Sequence, residues 1–253
     1  MAAVKEWDAT GYQRVSVPHE EWAAALMGRL PLGGGETVLD AGCGTGRVTR
    51  MLVERLPEGK VVAVDGSAAM VEKVREVLRP GDTSFVSDLT ALELDEPVDA
   101  VVSSAVFHWI TDHDALFARM RAALKTGGRI EAQCGGKGNI DEFRRVSGEV
   151  VAREPYAAHL DAAGFEEPWF YADAEETEGR LRAAGFTDVK AWLQPWDVIP
   201  PDPREFMRTL ILKPQVDALP PELHEQVLDD VGAAVGDPFT LRYVRLNISA
   251  VAA

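Results

Sequence analysis

The chain has 253 residues, of which 46% are hydrophobic and 26% charged. These are the proportions of a globular protein, and they exclude a disordered, collagenous or coiled-coil chain. Its 26 Lys and Arg against 41 Asp and Glu leave a net charge of -15, which opposes general binding to nucleic acid or to an anionic membrane surface. No apolar run approaches the roughly 20 residues of a membrane span. The segment Met1 to Asp8 carries charges where a secretion signal needs its apolar core. A cytoplasmic protein is the expectation.

In chain order, Glu20 to Leu30 is the first helical pattern. Thr37–Ala41 is an apolar strand, followed by the glycine-rich turn Gly42–Gly46 and a helix from Arg47 to Leu56, with Val48, Met51, Leu52 and Leu56 on one face. Lys60–Asp65 is a second strand. Ala68 to Leu78 is a second amphipathic helix, stopped by Arg79-Pro80-Gly81. Ser84–Val86 and Val98–Ser103 are strands three and four. Asp114 to Leu124 is a helix closed by Gly127-Gly128, and Arg129–Gln133 is strand five. Strands that are apolar on both faces and joined by helices describe a doubly wound α/β fold with a parallel sheet.

Beyond Gln133 a helix is expected over Ile140 to Arg153. Leu160-Asp-Ala-Ala-Gly-Phe165 is then echoed by Leu181-Arg-Ala-Ala-Gly-Phe186, which reads as two helices that end alike on a left-handed glycine. Val189–Leu193 suits a strand. The prolines at 195, 200, 201 and 203 mark a boundary, with helical patterns at Glu205–Leu212 and Glu222–Val235 and a last apolar segment at Phe239–Val251. We expect one domain over 1–194, with a lid helix in 1–30, and a cap segment over 195–253. About sixty residues bury too little to form a core alone.

Chemistry concentrates in Val38-Leu-Asp-Ala-Gly-Cys-Gly-Thr-Gly46, a glycine turn at the carboxyl end of a strand, where ligands of such folds bind. Arg47 stands where a dinucleotide fingerprint has its third glycine, and no phosphate-loop lysine is present. Asp65 ends the next strand, placed to accept both hydroxyls of a ribose. Asp88 ends the third and can receive an adenine amino group, and Met70 can pack on the adenine face. His19, His159 and His224 lack metal-ligand spacing. Asp112 beside His113 reads as a helix cap rather than a metal pair.

These stretches, with VVAVDGSAAM at 61–70, SDL at 87–89, VVSSAVFHW at 101–109, LKTGGRI at 124–130 and AAGFTDV at 183–189, resemble the class I S-adenosylmethionine-dependent methyltransferases. Glu6–Tyr12, Phe107–His113 and Tyr243–Ile248 are most similar to the trans-aconitate methyltransferase group. Juvenile hormone acid methyltransferases share the His-Trp pair, and Ala132–Asn139 departs from the group.

The resemblance implies a seven-stranded sheet of order 3-2-1-4-5-7-6 with the last strand antiparallel. The ends of strands one and five would then lie roughly 9–10 Å apart. A disulfide needs Cα atoms within about 7 Å, so Cys43 and Cys134 should be free thiols. The implied cofactor is S-adenosylmethionine. It is held by Asp40, Ala41, Gly42, Cys43, Gly44, Gly46 and Ser104 around the methionine part, Asp65 and Gly66 at the ribose, and Met70, Ser87, Asp88 and Leu89 at the adenine. A small-molecule acceptor is expected near Tyr12, Gln13, Phe107, His108 and Trp109, with methyl transfer to oxygen, a carboxylate included. His108 is the candidate base or orienting group, because a hydroxyl acceptor needs a base and a carboxylate does not. Transfer to carbon or nitrogen, and a non-catalytic donor-binding module, are the alternatives. Trp169, Phe170 and Tyr171 read as core, with lining of the acceptor pocket as the alternative, and Arg144, Arg145, Arg242 and Arg245 as surface ion-pair partners, with pairing to an anionic acceptor as the alternative.

Overall fold

The computed structural model describes residues 17–253, with side chains from Glu21 onward. Tyr12 and Gln13, the expected lid contacts, lie outside the described residues. The chain divides into two compact units. One holds the described residues up to Lys137, Phe170–Gln194 and Arg245–Ala253. The other holds Gly138–Trp169 and Pro195–Val244.

The first unit is built on a seven-stranded sheet of order β3-β2-β1-β4-β5-β7-β6. The strands are β1 (Thr37–Ala41), β2 (Lys60–Asp65), β3 (Thr83–Val86), β4 (Val98–Ser104), β5 (Leu124–Gly135), β6 (Phe186–Val198) and β7 (Leu241–Ala252). The first five pair in parallel, and β7 runs antiparallel to β5 from Arg129 opposite Val251 to Gly135 opposite Arg245. The expected order and the reversed last strand are both present.

Alternate residues of each strand serve opposite faces. One face packs Leu39, Ala41, Val64, Val101, Ile130, Ala132 and Ile248 against helix α4 (His113–Ala123) through Leu116, Phe117 and Met120, and against α7 (Ala174–Ala183) through Leu181. The other packs Val38, Val61, Ala100 and Val102 against α1 (Val17–Arg29) through Ala23, Leu26 and Met27, and against α2 (Arg47–Arg55) through Val48 and Leu52. Helix α3 (Ala68–Val74) stops short of the expected Leu78 because its last turn tightens to i→i−3 bonds, Glu76 to Lys73 and Val77 to Val74. Asp112 caps α4, its side chain accepting from the Ala115 N–H at 2.9 Å. Cys43 and Cys134 are buried free thiols.

The second unit pairs α5 (Asp141–Val151) with α10 (His224–Val235), with Phe143, Val150, Val227, Leu228 and Val231 buried. It also contains α6 (Tyr156–Ala162), the single turn α8 (Pro203–Phe206), a π-helical turn at Met207–Ile211 and α9 (Lys213–Ala218). Phe143 meets Phe239 edge to face, and the Tyr156 hydroxyl donates to Asp230 at 2.5 Å. The two echoed segments end α6 and α7 on Gly164 (φ 59°) and Gly185 (φ 93°), as expected of left-handed terminators.

The expected boundary at 194/195 differs from the division observed. Residues 195–244 fold with 138–169, which the sequence reading assigned to the first domain. Residues 245–253 belong to the sheet unit because they hydrogen-bond to β5. Among the described residues no helix is long and apolar enough to cross a membrane.

Candidate active site

The turn after β1 is pulled over the end of β2: the amides of Gly42 and Cys43 both donate to the Val64 carbonyl, at 2.8 and 2.9 Å. Gly42, Gly44 and Gly46 all have positive φ. Their surroundings differ. A Cβ on Gly42 would meet the Val106 side chain at 2.2 Å, and one on Gly46 would meet Val77 at 2.9 Å, whereas nothing lies within 4 Å of a Cβ on Gly44. Gly42 and Gly46 therefore pack the turn tightly, and Gly44 leaves an open cradle bordered by main-chain amides. Cys43 turns inward beside Ala63 and Val74.

Asp65 holds the cradle, Oδ2 accepting from the Gly44 N–H and Oδ1 from the Ser67 N–H, both at 2.9 Å. Each oxygen of a carboxylate has a second lone pair for a ligand hydroxyl. Asp40 is buried beneath the turn at 1% exposure, with Oδ2 accepting from Thr49 Oγ1 at 2.6 Å and no hydrogen-bond partner for Oδ1. Burial raises its carboxyl to about 7, and the charge on Asp65 adds to the effect. Burial likewise pushes the Cys43 thiol far above its usual range, so this residue is packing and not a nucleophile.

At the end of β3, Asp88 is exposed and its Oδ1 accepts from both the Thr90 N–H and hydroxyl, at 2.8 Å. Ser87 is half-buried next to it, its hydroxyl donating to the Asp88 carbonyl at 3.1 Å. Leu89 and Met70 are buried at 5%. Gly66 lies between Asp65 and the cap of α3, Ser67, whose side chain accepts from the Met70 N–H.

At the end of β4, Ser103 donates to the Ala41 carbonyl at 2.7 Å, tying β4 to the glycine turn. Ala105 takes a left-handed φ of 61° after Ser104, and its N–H donates to the Gln133 carbonyl at 2.7 Å. The turn Phe107–Trp109 follows. Phe107 lies in the core at 1% exposure, edge to face with Phe117. His108 is fixed at the end of β5: the Gly135 N–H donates to its Nδ1 at 3.2 Å, and its carbonyl accepts from Phe170 N at 2.8 Å. Trp109 and Tyr171 have ring centroids 5.2 and 5.9 Å from that of His108. Phe170 packs on the core and Tyr171 beside His108, so this aromatic run serves both roles.

Neighbouring His113 is buried against Phe117 and Phe170, and its Nε2 donates to the Phe107 carbonyl at 3.0 Å. Burial lowers its pKa and keeps it neutral. Among the described residues no three His, Cys, Asp or Glu side chains cluster to hold a metal.

The glycine turn, Asp65 and the ends of β3 and β4 thus line the carboxyl edge of one sheet. Sequence reading missed Thr49, Ser103 and Val106. The first two are hydroxyl residues one strand or one helix turn away from the motif, and nothing local marks Val106. Of the four arginines read as surface partners, Arg144, Arg145 and Arg242 pair with Glu167, Glu149 and Glu142. Arg245 departs from that reading, being buried at 2% exposure.

The methyltransferase-domain family matches residues 38–128. The chain is 33% identical over 193 residues to the trans-aconitate 2-methyltransferase of Methylobacterium nodulans, covering 74% of this chain and 67% of that one. It is 31% identical to that of an Azoarcus species over 88% and 86% of the two chains. The solved phosphoethanolamine N-methyltransferase 2 of Haemonchus contortus in complex with S-adenosyl-L-methionine shares the fold at TM-score 0.63 and 18% identity, covering 96% of this chain and 56% of that one. The chain belongs to the class I S-adenosylmethionine-dependent methyltransferases. It is an enzyme of that class with S-adenosylmethionine as cofactor, and its sequence groups it with the trans-aconitate methyltransferases. The open cradle at Gly44 beside the Asp65 carboxylate fits such a nucleoside.

Proposed function

We propose that this methyltransferase esterifies a carboxylate of a small-molecule acid. The observation that carries the reading is the hydrogen bond from Gly135 N–H to His108 Nδ1. A backbone amide only donates, so Nδ1 accepts, and in the neutral ring the proton is on Nε2. A ring held in this tautomer offers a donor to the acceptor and cannot take its proton at Nε2. A hydroxyl acceptor needs that proton removed. A carboxylate, with a pKa near 4, is ionised at neutral pH and needs only to be held. The names of the relatives agree with an acid as acceptor.

Asp65 would hold the ribose, Asp88, Leu89 and Met70 the adenine, and Ala41, Gly42 and Ser104 the methionine part, with Asp40 bracing the turn through Thr49. Bound there, S-adenosylmethionine would supply a methyl group activated on a sulfonium, with the neutral thioether S-adenosylhomocysteine as the leaving group and no proton to move. The chain's own part is to orient the acid through His108 Nε2–H, with Trp109 and Tyr171 beside it to exclude water.

The test is methyl transfer to trans-aconitate, to phenols and to amines, with kcat followed from pH 6 to 9. The expected result is a base-labile methyl ester from the acid and a kcat that varies less than about threefold across that range. A kcat that drops tenfold per pH unit below 7, or transfer to phenols or amines alone, overturns the reading.

A further inference from the structure

His113 is the first residue of α4, and Asp112 before it caps the helix. Side chains on a helix lean toward its N-terminus, so this ring reaches back over Phe107–Trp109, the turn that carries His108. An imidazole fills a core poorly, because its nitrogens lose water there. His113 is 2% exposed, and its Nδ1 has no hydrogen-bond partner among the described residues. An apolar residue would pack without that cost. The residue type therefore asks for a reason other than packing.

The reason lies in what the ring touches. Its Nε2–H donates to the Phe107 carbonyl at 3.0 Å, on the peptide that leads into His108. The same carbonyl closes the turn by accepting from the Ile110 N–H at 3.1 Å. The ring also stands edge to face with Phe170, their centroids 4.9 Å apart. Phe170 is the residue whose N–H donates to the His108 carbonyl at 2.8 Å. His113 thus braces the backbone of His108 on both sides, directly at the carbonyl before it and through Phe170 at its own carbonyl. The imidazole of His108 is then fixed by the Gly135 N–H on Nδ1. At 3.2 Å that bond lies at the long end of the range for N–H donors, so it depends on the turn staying in place. Burial lowers the pKa of His113, and a neutral ring has a single N–H, which stays committed to Phe107.

We propose that His113 is a positioning residue for methyl transfer: through the Phe107 carbonyl and Phe170 it fixes the turn, so that His108 keeps Nδ1 on Gly135 and presents Nε2–H to the acceptor. It acts through His108 and not on the substrate. The inference deepens the carboxylate reading above and rests on it for the role of His108. Its effect is one of alignment, and a displacement of about 1 Å at a reacting group costs on the order of 100-fold in rate.

The experiment uses the full chain with trans-aconitate as acceptor. His113→Leu removes the N–H and keeps the site filled. Its kcat should fall about 10- to 100-fold, with KM changed less than about threefold and calorimetric binding of S-adenosylhomocysteine unchanged. His113→Gln puts an amide N–H where Nε2 stood, and should bring kcat back to within about threefold of wild type. His113→Asn carries the same amide one bond short and should stay low. The Gln and Asn pair gives the comparison if the leucine variant does not fold. Nitrogen NMR of isotopically labelled histidine supplies a second readout: His108 should be protonated on Nε2 alone in the wild type and a mixture of tautomers in the Leu and Asn variants. An unchanged kcat in those variants, or a Gln variant no better than Asn, overturns the role of His113 and leaves the carboxylate reading standing. Wild-type protein that methylates no acid overturns the carboxylate reading, and the tautomer then decides for His113: a mixture in the variants supports its positioning role, and a preserved tautomer overturns it.

Discussion

Asp40 is the residue on which the glycine turn rests, and its protonation is linked to folding. Its carboxyl, raised to about 7 by burial, has a value near 3.8 when solvated. Between these two values the native state keeps a proton that the unfolded chain has released. Stability therefore declines as pH rises through that window, and the whole penalty is present above about 7. Asn at this position can still accept from Thr49 and never ionises. The expected outcome is a Tm advantage of Asp40→Asn over the wild type that grows from pH 4 to pH 8, measured by thermal denaturation. Taking the difference between the two proteins cancels the acid response of every other group. Parallel curves would mean that Asp40 ionises freely.

At the level of elements, α1 is tied to the sheet by a half-buried ion pair as well as by its apolar face. Arg29 in its last turn donates from Nε to Glu131 Oε2 at 3.1 Å, and Ser249 of β7 donates to the other oxygen at 2.5 Å. Glu131, in the middle of β5, is 2% exposed. Arg29→Met keeps the packing but leaves a buried carboxylate short of its cation, which costs about 3 kcal/mol. Urea denaturation should show a lower midpoint at unchanged slope, and adding Glu131→Gln should recover most of the loss. A midpoint within error of wild type would show that Ser249 suffices.

The same elements show what a linear reading can reach. Strands β1, β2 and β4 were legible because both of their faces are buried, which produces uninterrupted apolar runs. β5 begins at Leu124, five residues before the expected strand, since Lys125 to Gly127 are exposed and the glycine pair Gly127-Gly128 looks like a turn. β6 spans Phe186–Val198 but lies at the sheet edge, where exposed polar positions mask its length. The glycine turn, Asp65 and Asp88 were legible because each sits at a strand end in a local pattern. The burial of Arg245 and the joining of 138–169 to 195–244 arise from pairings between distant segments, and local sequence carries no mark of them.

For the whole molecule, the decisive quantity is the net charge of -15. It acts in opposite directions on the two substrates of the proposed reaction. S-adenosylmethionine carries a net positive charge at neutral pH and is attracted over long range, whereas a polycarboxylate is repelled. Both effects pass through solvent and are screened once the ions lie beyond a Debye length, about 8 Å at physiological ionic strength. Contact at the buried His108, 8% exposed, is screened far less. Raising NaCl from about 0.02 to 0.3 M should therefore weaken S-adenosylmethionine binding and lower the KM for trans-aconitate, each by about two- to fivefold. S-adenosylhomocysteine, which has lost the sulfonium charge, is the internal control, and its affinity should hardly change over the same range. Calorimetry for the two nucleosides and initial rates for the acid measure all three slopes. A KM that rises with salt would show that the acid is guided in by a local positive potential, and that the overall charge does not set the encounter.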